Sequence, residues 1–190
     1  MSKNRYEKSE ELLDSALKSI PLGSQTFSKS ITQLPFGVSP YFVKKAKGAY
    51  FWDVDNNQYL DFSNALASVT LGYCDSDVDS AVKKQMECGV TFSLPHTLEA
   101  DVAKILIDAI PCAEQVRFAK NGTDATSGAV RVARAFTGKE RIAVCGYHGW
   151  QDWYIGSTTK NLGVPKCVQN LTHTFSYNNI DSLKNILEEY

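Results

Sequence analysis

The chain has no apolar run long enough to cross a bilayer, and its opening, Met-Ser-Lys-Asn-Arg-Tyr-Glu, lacks the apolar core of an export signal. A cytoplasmic protein is therefore expected. Neither sign of charge dominates: 20 Lys and Arg stand against 21 Asp and Glu. That balance gives no electrostatic reason to expect nucleic acid or a membrane surface as a partner. Histidine is scarce, and His96, His148 and His173 are too widely spaced to argue a metal site. Cys74, Cys88, Cys112, Cys145 and Cys167 are odd in number and show no Cys-x-x-Cys spacing, which fits free thiols in a reducing compartment. Repeats, low-complexity tracts, a P-loop and a Gly-x-Gly-x-x-Gly fingerprint are all missing. What remains is 190 residues of ordinary globular composition, 43% hydrophobic and 11% aromatic, long enough for a substantial core.

Apolar spacing predicts an amphipathic helix over about Arg5 to Ser19, ended by Pro21. Leu22 to Pro40, rich in Gly, Ser, Thr and Pro, reads as an extended loop, either functional or a loosely ordered arm. Tyr41–Val43, Ala49–Asp53 and Gln58–Phe62 are β-prone runs separated by Lys47-Gly48 and Asp55-Asn56-Asn57, which predicts an antiparallel meander. Asp75-Ser76-Asp77 should cap a helix over Val78 to Cys88, and Thr97 another over Leu98 to Ile110. Arg141–Cys145 reads as a buried parallel strand, Cys167, Val168 and Leu171 as one more short strand, and Ile180 to Tyr190 as helix. The alternation after about residue 98 predicts an α/β architecture with a mostly parallel sheet.

The organising stretch is Glu114 to Phe136. Val116, Phe118 and Ala119 form a β-prone run, Asn121-Gly122-Thr123 is a tight turn, and Ala125, Ala129, Val132, Ala133 and Phe136 recur on one helical face. Strand, small-residue turn and helix leave backbone N–H groups at the positive end of a helix dipole, a ready anion site. Two readings stay open from these residues: an anion on the turn, or a helix that Thr123 caps and Asp124 complements with no ligand. Tyr147-His148-Gly149 follows the next strand. Ligands of parallel sheets sit at the carboxyl ends of strands, so the two turns are expected to converge on one pocket.

Asn-Gly-Thr-Asp-Ala-Thr at 121–126, Arg131-x-Ala-Arg134, Thr137-Gly138-Lys139 and Tyr147-His148-Gly149, in this order, resemble class-III, fold-type-I pyridoxal phosphate (PLP) enzymes. Gly48, Trp52-Asp53-Val54-Asp55, Tyr59-Leu60-Asp61-Phe62 and Leu71-Gly72-Tyr73 extend the likeness upstream. The branch it resembles is glutamate-1-semialdehyde 2,1-aminomutase and its aminotransferase relatives. The resemblance implies that Asn121, Gly122 and Thr123 hold the PLP phosphate and that Tyr147 stacks on the pyridine ring. His148 reads as a structural histidine, and Trp150 and Trp153 as packing residues. The resemblance also implies a small-molecule amino donor, a carbonyl acceptor and a homodimer when full length. Residues 1–66 would form an N-terminal helix, loop and meander, and residues 67–190 part of the PLP-binding large domain.

Three positions depart from the family pattern. Asn121 stands where Ser is usual, and Leu66 where the aminomutases carry Trp. Lys29 stands where their Pro-Gly-Gly-x-x-Ser-Pro-x-Arg segment supplies a carboxylate-gripping arginine, so Lys29 is the expected substrate-binding residue. A lysine lacks arginine's bidentate fork. The expected acceptor is therefore another small carbonyl, sugar-related or phosphorylated, rather than glutamate semialdehyde. The Schiff-base lysine and the aspartate for the pyridinium nitrogen are expected beyond Tyr190, so these residues alone are expected to be inactive. The competing reading is a non-catalytic phosphate-binding α/β module or a degenerate relative. A phosphate-ester hydrolase would need a nucleophile beside a base, and none is seen.

Overall fold

A computed structural model describes residues 4–190. The chain divides into two compact units, one running to Leu94 and the other Pro95–Tyr190.

The first unit contains α1 (Glu7–Ala16), 3-10 turns at Pro21–Gly23 and Phe27–Lys29, β1 (Val43–Lys47), β2 (Tyr50–Asp53), β3 (Gln58–Leu60), a one-turn element α2 (Asn64–Ala67) and α3 (Ser76–Cys88). The three strands form the expected antiparallel meander, with Tyr50 opposite both Lys47 and Leu60, although β1 begins at Val43, where the expected Tyr41–Val43 run ends, and extends through Lys47. Helix α1 is shorter than its apolar spacing predicts, and it begins without a side-chain cap of its own. Asp55, in the turn between β2 and β3, supplies one: the Lys8 and Ser9 N–H groups donate to its two carboxylate oxygens at 2.9 and 3.0 Å. A carboxylate there satisfies orphan donors and suits the helix dipole. Tyr6 and Leu13 are buried, as is Ser9, whose hydroxyl accepts the Tyr41 N–H at 3.1 Å.

Asp53 has no exposed surface. Its Oδ1 accepts the Asn57 N–H at 2.7 Å, and its Oδ2 accepts Asn57 Nδ2 at 2.8 Å and the Tyr59 hydroxyl at 2.9 Å. Burial, followed by side-chain hydrogen bonding with Tyr6 and Asp53, pushes the Tyr59 phenol well above its usual range. A second carboxylate, Asp61, accepts the N–H groups of Ser63, Asn64 and Ala65 at 2.9, 3.0 and 3.4 Å and the Tyr73 hydroxyl at 2.7 Å. The Tyr73 bond is the largest cause holding the Asp61 carboxyl below its usual range, and Asp61 in turn raises the Tyr73 phenol. Above Asp61, Asn64, Ala65, Leu66 and Ala67 all have φ between 48° and 66°. Left-handed backbone costs L-residues about 1–2 kcal/mol each, so this turn needs such an anchor.

The second unit contains α4 (Thr97–Ala109), α5 (Gly122–Thr137), β4 (Ile142–Val144), α6 (Asp152–Ile155), α7 (Lys166–Gln169), β5 (Thr172–Thr174) and α8 (Ile180–Glu189). β4 and β5 run parallel, pairing Ile142 with Thr172 and Val144 with Thr174. Val144, Tyr154 and Thr172 are buried. The Thr172 hydroxyl donates to the Trp153 carbonyl, which ties β5 to α6.

In this second unit four further expectations change. Val116–Ala119 forms no strand, because among the described residues it has no ladder partner, and β propensity cannot supply one. Cys167 and Val168 lie in α7, where the Pro165 carbonyl accepts the Val168 and Gln169 N–H groups at 3.0 Å, and the strand starts only at Thr172. His96 rather than Thr97 caps α4: its Nδ1 accepts the Leu98 N–H at 3.2 Å while Glu99 accepts the His96 N–H at 3.0 Å, a reciprocal capping box. Val132 and Phe136, on the apolar face of α5, are 68% and 91% exposed, so the two-stranded sheet leaves that end of the stripe uncovered.

Replacing Asp53 by Ala strands three donors in a buried place and is expected to lower stability by about 3 kcal/mol in chemical denaturation. Asp55→Ala removes only the α1 cap and should cost about 1 kcal/mol. Tyr59 and Tyr73 both have phenols raised on folding, so their contribution is complete below the unfolded value of about 10 and is lost as pH rises through the folded values. Stability should therefore fall in denaturation above about pH 10, and less steeply in Tyr59→Phe.

Candidate functional site

Helix α5 starts at the turn that the sequence singles out. Asn121 is the boundary residue, with extended backbone, but its side chain does not cap the helix. Its Nδ2 donates instead to Asp124 Oδ2 at 3.3 Å, and its carbonyl accepts the Asp124 and Ala125 N–H groups at 3.1 Å. Thr123 lies inside the first turn and is not the cap. Among the described residues nothing accepts from the Gly122 and Thr123 N–H groups, and the Thr123 hydroxyl has no partner. A Cβ built on Gly122 would meet nothing within 4 Å, so the approach to these donors is open.

The tip after β4 is built on two glycines with left-handed backbone, Gly146 at φ 84° and Gly149 at φ 113°. The Tyr154 hydroxyl donates to the Gly146 carbonyl at 2.8 Å. His148 Nε2 lies 2.8 Å from the Cys145 carbonyl, and since a carbonyl only accepts, Nε2 carries the proton. Tyr147 is 76% exposed, with its ring set edge-on to Tyr154 at 5.8 Å between centroids.

The two turns touch. Gly149 is buried against Thr123 so closely that a Cβ there would sit 2.5 Å from the Thr123 hydroxyl oxygen. Thr126 Oγ1 lies 2.9 Å from the His148 carbonyl. One residue further, the Ser127 hydroxyl lies 2.8 Å from Gln151 Oε1 and accepts Trp153 Nε1–H at 3.0 Å. Thr126, Ser127 and Gln151 were not among the expected site residues. Helical spacing from Thr123 could have pointed to the first two, since positions three and four on share its face.

Two amide donors and a hydroxyl at the positive end of a sixteen-residue helix suit a phosphate dianion. Tyr147 offers an exposed ring on the tip whose Gly149 seats against Thr123. The Trp153 ring lies 6.3 Å from that of His148 and 5.8 Å from that of Tyr154, whereas Trp150 is 71% exposed. With Ser127, Arg131, Arg134, Gln151 and Trp153 it lines an open groove of about 680 Å³ on the flank of α5, which includes neither Thr123 nor Tyr147. Lys29 ends the second 3-10 turn of the first unit, and its side chain is exposed.

Comparison with known proteins follows the same lines. The family model for class-III aminotransferases matches residues 34–189. Over 187 residues the chain is 38% identical to the 3-aminobutyryl-CoA aminotransferase of Cloacimonas acidaminovorans (strain Evry), covering 98% of this chain and 44% of that protein. Over 166 residues it is 37% identical to the glutamate-1-semialdehyde 2,1-aminomutase of Persephonella marina (strain DSM 14350 / EX-H1), covering 81% of this chain and 39% of that one. Among solved structures, the FumI protein of Sphingopyxis sp. MTA144 in a PLP form superposes with a TM-score of 0.88 at 30% identity, covering 96% of this chain and 44% of that one. The chain therefore spans less than half the length of these relatives. It belongs to the class-III aminotransferases and has the α/β fold of the fold-type-I, PLP-dependent transferases.

Proposed function

We propose that this chain forms the phosphate-holding and ring-facing part of a PLP-dependent aminotransferase or aminomutase that moves an amino group to a small carbonyl compound. The observation that carries the reading is the unpartnered donor set of Gly122 and Thr123 lying against the Tyr147–Gly149 tip. In this reading the Gly122 and Thr123 N–H groups and the Thr123 hydroxyl bind the phosphate. Asn121 turns its amide to Asp124 and acts by shaping the turn. Tyr147 covers one face of the ring and keeps water from it. PLP supplies the electron sink that lets a substrate amine exchange with a carbonyl. The Schiff-base lysine is assigned to the part of the relatives that these residues do not match, and residues 67–190 to the large domain. A cytosolic homodimer is part of the same proposal.

For substrate, Lys29 is proposed to meet the acceptor's anionic group as a point charge. That disfavours the planar carboxylate grip of the aminomutases, and a different small carbonyl, such as a phosphorylated one, is preferred. Two relatives of nearly equal identity, one acting on a CoA thioester by name and one an aminomutase, leave the substrate class to this argument.

In the full-length protein, Thr123→Val should weaken PLP about tenfold, measured by fluorescence titration, and leave pyridoxal, which has no phosphate, nearly unchanged. Tyr147→Ala should weaken both ligands. Unaltered PLP affinity in Thr123→Val would remove the phosphate assignment, and turnover of glutamate 1-semialdehyde to 5-aminolevulinate would remove the substrate preference.

A further inference from the structure

Thr126 touches neither of the groups assigned to PLP, yet it is the hydrogen-bonding link between the two turns that carry them. Its Oγ1 lies 3.0 Å from the Thr123 carbonyl and 2.9 Å from the His148 carbonyl, and one hydroxyl proton can serve only one of them. The Thr123 carbonyl sits within α5, where the residue four positions on supplies an N–H, and the Ser127 hydroxyl lies 2.8 Å from it as well. Among the described residues the His148 carbonyl has no other donor. The proton therefore points to His148, directly beside Tyr147.

We infer that Thr126 is a positioning residue: its hydroxyl latches the His148 backbone to the first turn of α5 and so sets where the Tyr147 ring stands relative to the Thr123 donors. The surrounding contacts fix the other degrees of freedom. Gly149 lets the tip seat on Thr123 without a side chain between them. Tyr154 holds the Gly146 carbonyl and backs the Tyr147 ring from its edge. Among the described residues the Tyr147 side chain has no hydrogen-bond partner, and it is largely exposed, so its position is inherited from the backbone that Thr126 holds. The inference rests on the PLP reading of the turn and adds to it a residue that controls the ring without touching the phosphate.

In the full-length protein, Thr126→Val keeps the side-chain volume and removes the latch. The Kd for PLP and that for pyridoxal should both rise, each by about fivefold to tenfold, as the ring loses its placed partner. Competition by inorganic phosphate should be unchanged, because the donors of the turn remain. Thr126→Ser keeps the hydroxyl and should restore parental affinity for both ligands. Pyridoxal affinity unchanged in Thr126→Val overturns the latch, and so does a parallel loss of phosphate binding, which marks a general loosening of the site. Thr126→Ala carries the same expectation should valine not be accommodated, and a protein that folds with neither makes the residue structural and overturns the proposal. Thr123→Val is the control for the underlying reading: if it leaves phosphate competition unaltered, the turn is not the anion site, whatever Thr126 does.

Discussion

The contact between Gly149 and Thr123 is the constraint that the candidate site depends on. A loop leaving a strand and a helix starting after a turn each carry useful chemistry only if their backbones come within van der Waals reach. Any side chain at position 149 would meet the Thr123 hydroxyl at once. With that space empty, the carbonyl of His148 reaches Thr126 and the side chain of Gln151 reaches Ser127. The Trp153 indole reaches the same Ser127 hydroxyl. Thr123, Thr126 and Ser127 of α5 thus organise His148, Gly149, Gln151 and Trp153. The exposed Tyr147 is presented by this frame and holds nothing together itself.

The first unit solves a different problem with a similar device. Its strands are short and much of its apolar surface is exposed, so one buried and two half-buried carboxylates do part of the organising. Asp53 collects three donors from the β2–β3 turn and β3, Asp55 caps a helix distant in sequence, and Asp61 anchors four consecutive left-handed residues. An acceptor-only side chain can gather several N–H groups where the backbone has no ladder to offer. Strain of the kind seen at Asn64–Ala67 persists only where surroundings over-determine it, and such turns cluster at functional places. Leu66, which departs from the aminomutase pattern, stands within that turn.

Much of the architecture was legible in the sequence. The meander, the capping role of Asp75, β4, α8 and the start of α5 all follow from periodicity and turn chemistry, because those signals are local. The failures share a cause. Val116–Ala119 has strand propensity without a partner, and Cys167–Val168 is apolar but begins after a proline whose carbonyl accepts two helical N–H groups. The capping of α4 by His96 uses a ring nitrogen outside the usual Ser, Thr, Asp and Asn set.

For the candidate site, the sequence by itself determined the chemistry on offer. A glycine-centred turn opening a helix, a hydroxyl on its first coil and an aromatic after the next strand are residue identities, and the family likeness is written in their order. Only the tertiary structure decided that the Asn121–Thr123 turn and the Tyr147 tip meet, and that Thr126 faces His148 across a gap of 22 positions in the chain. Spacing along a helix is set by local geometry, and so can be read. Which carbonyl a hydroxyl finds across a loop depends on how a whole unit packs, and no window of neighbouring residues contains that information.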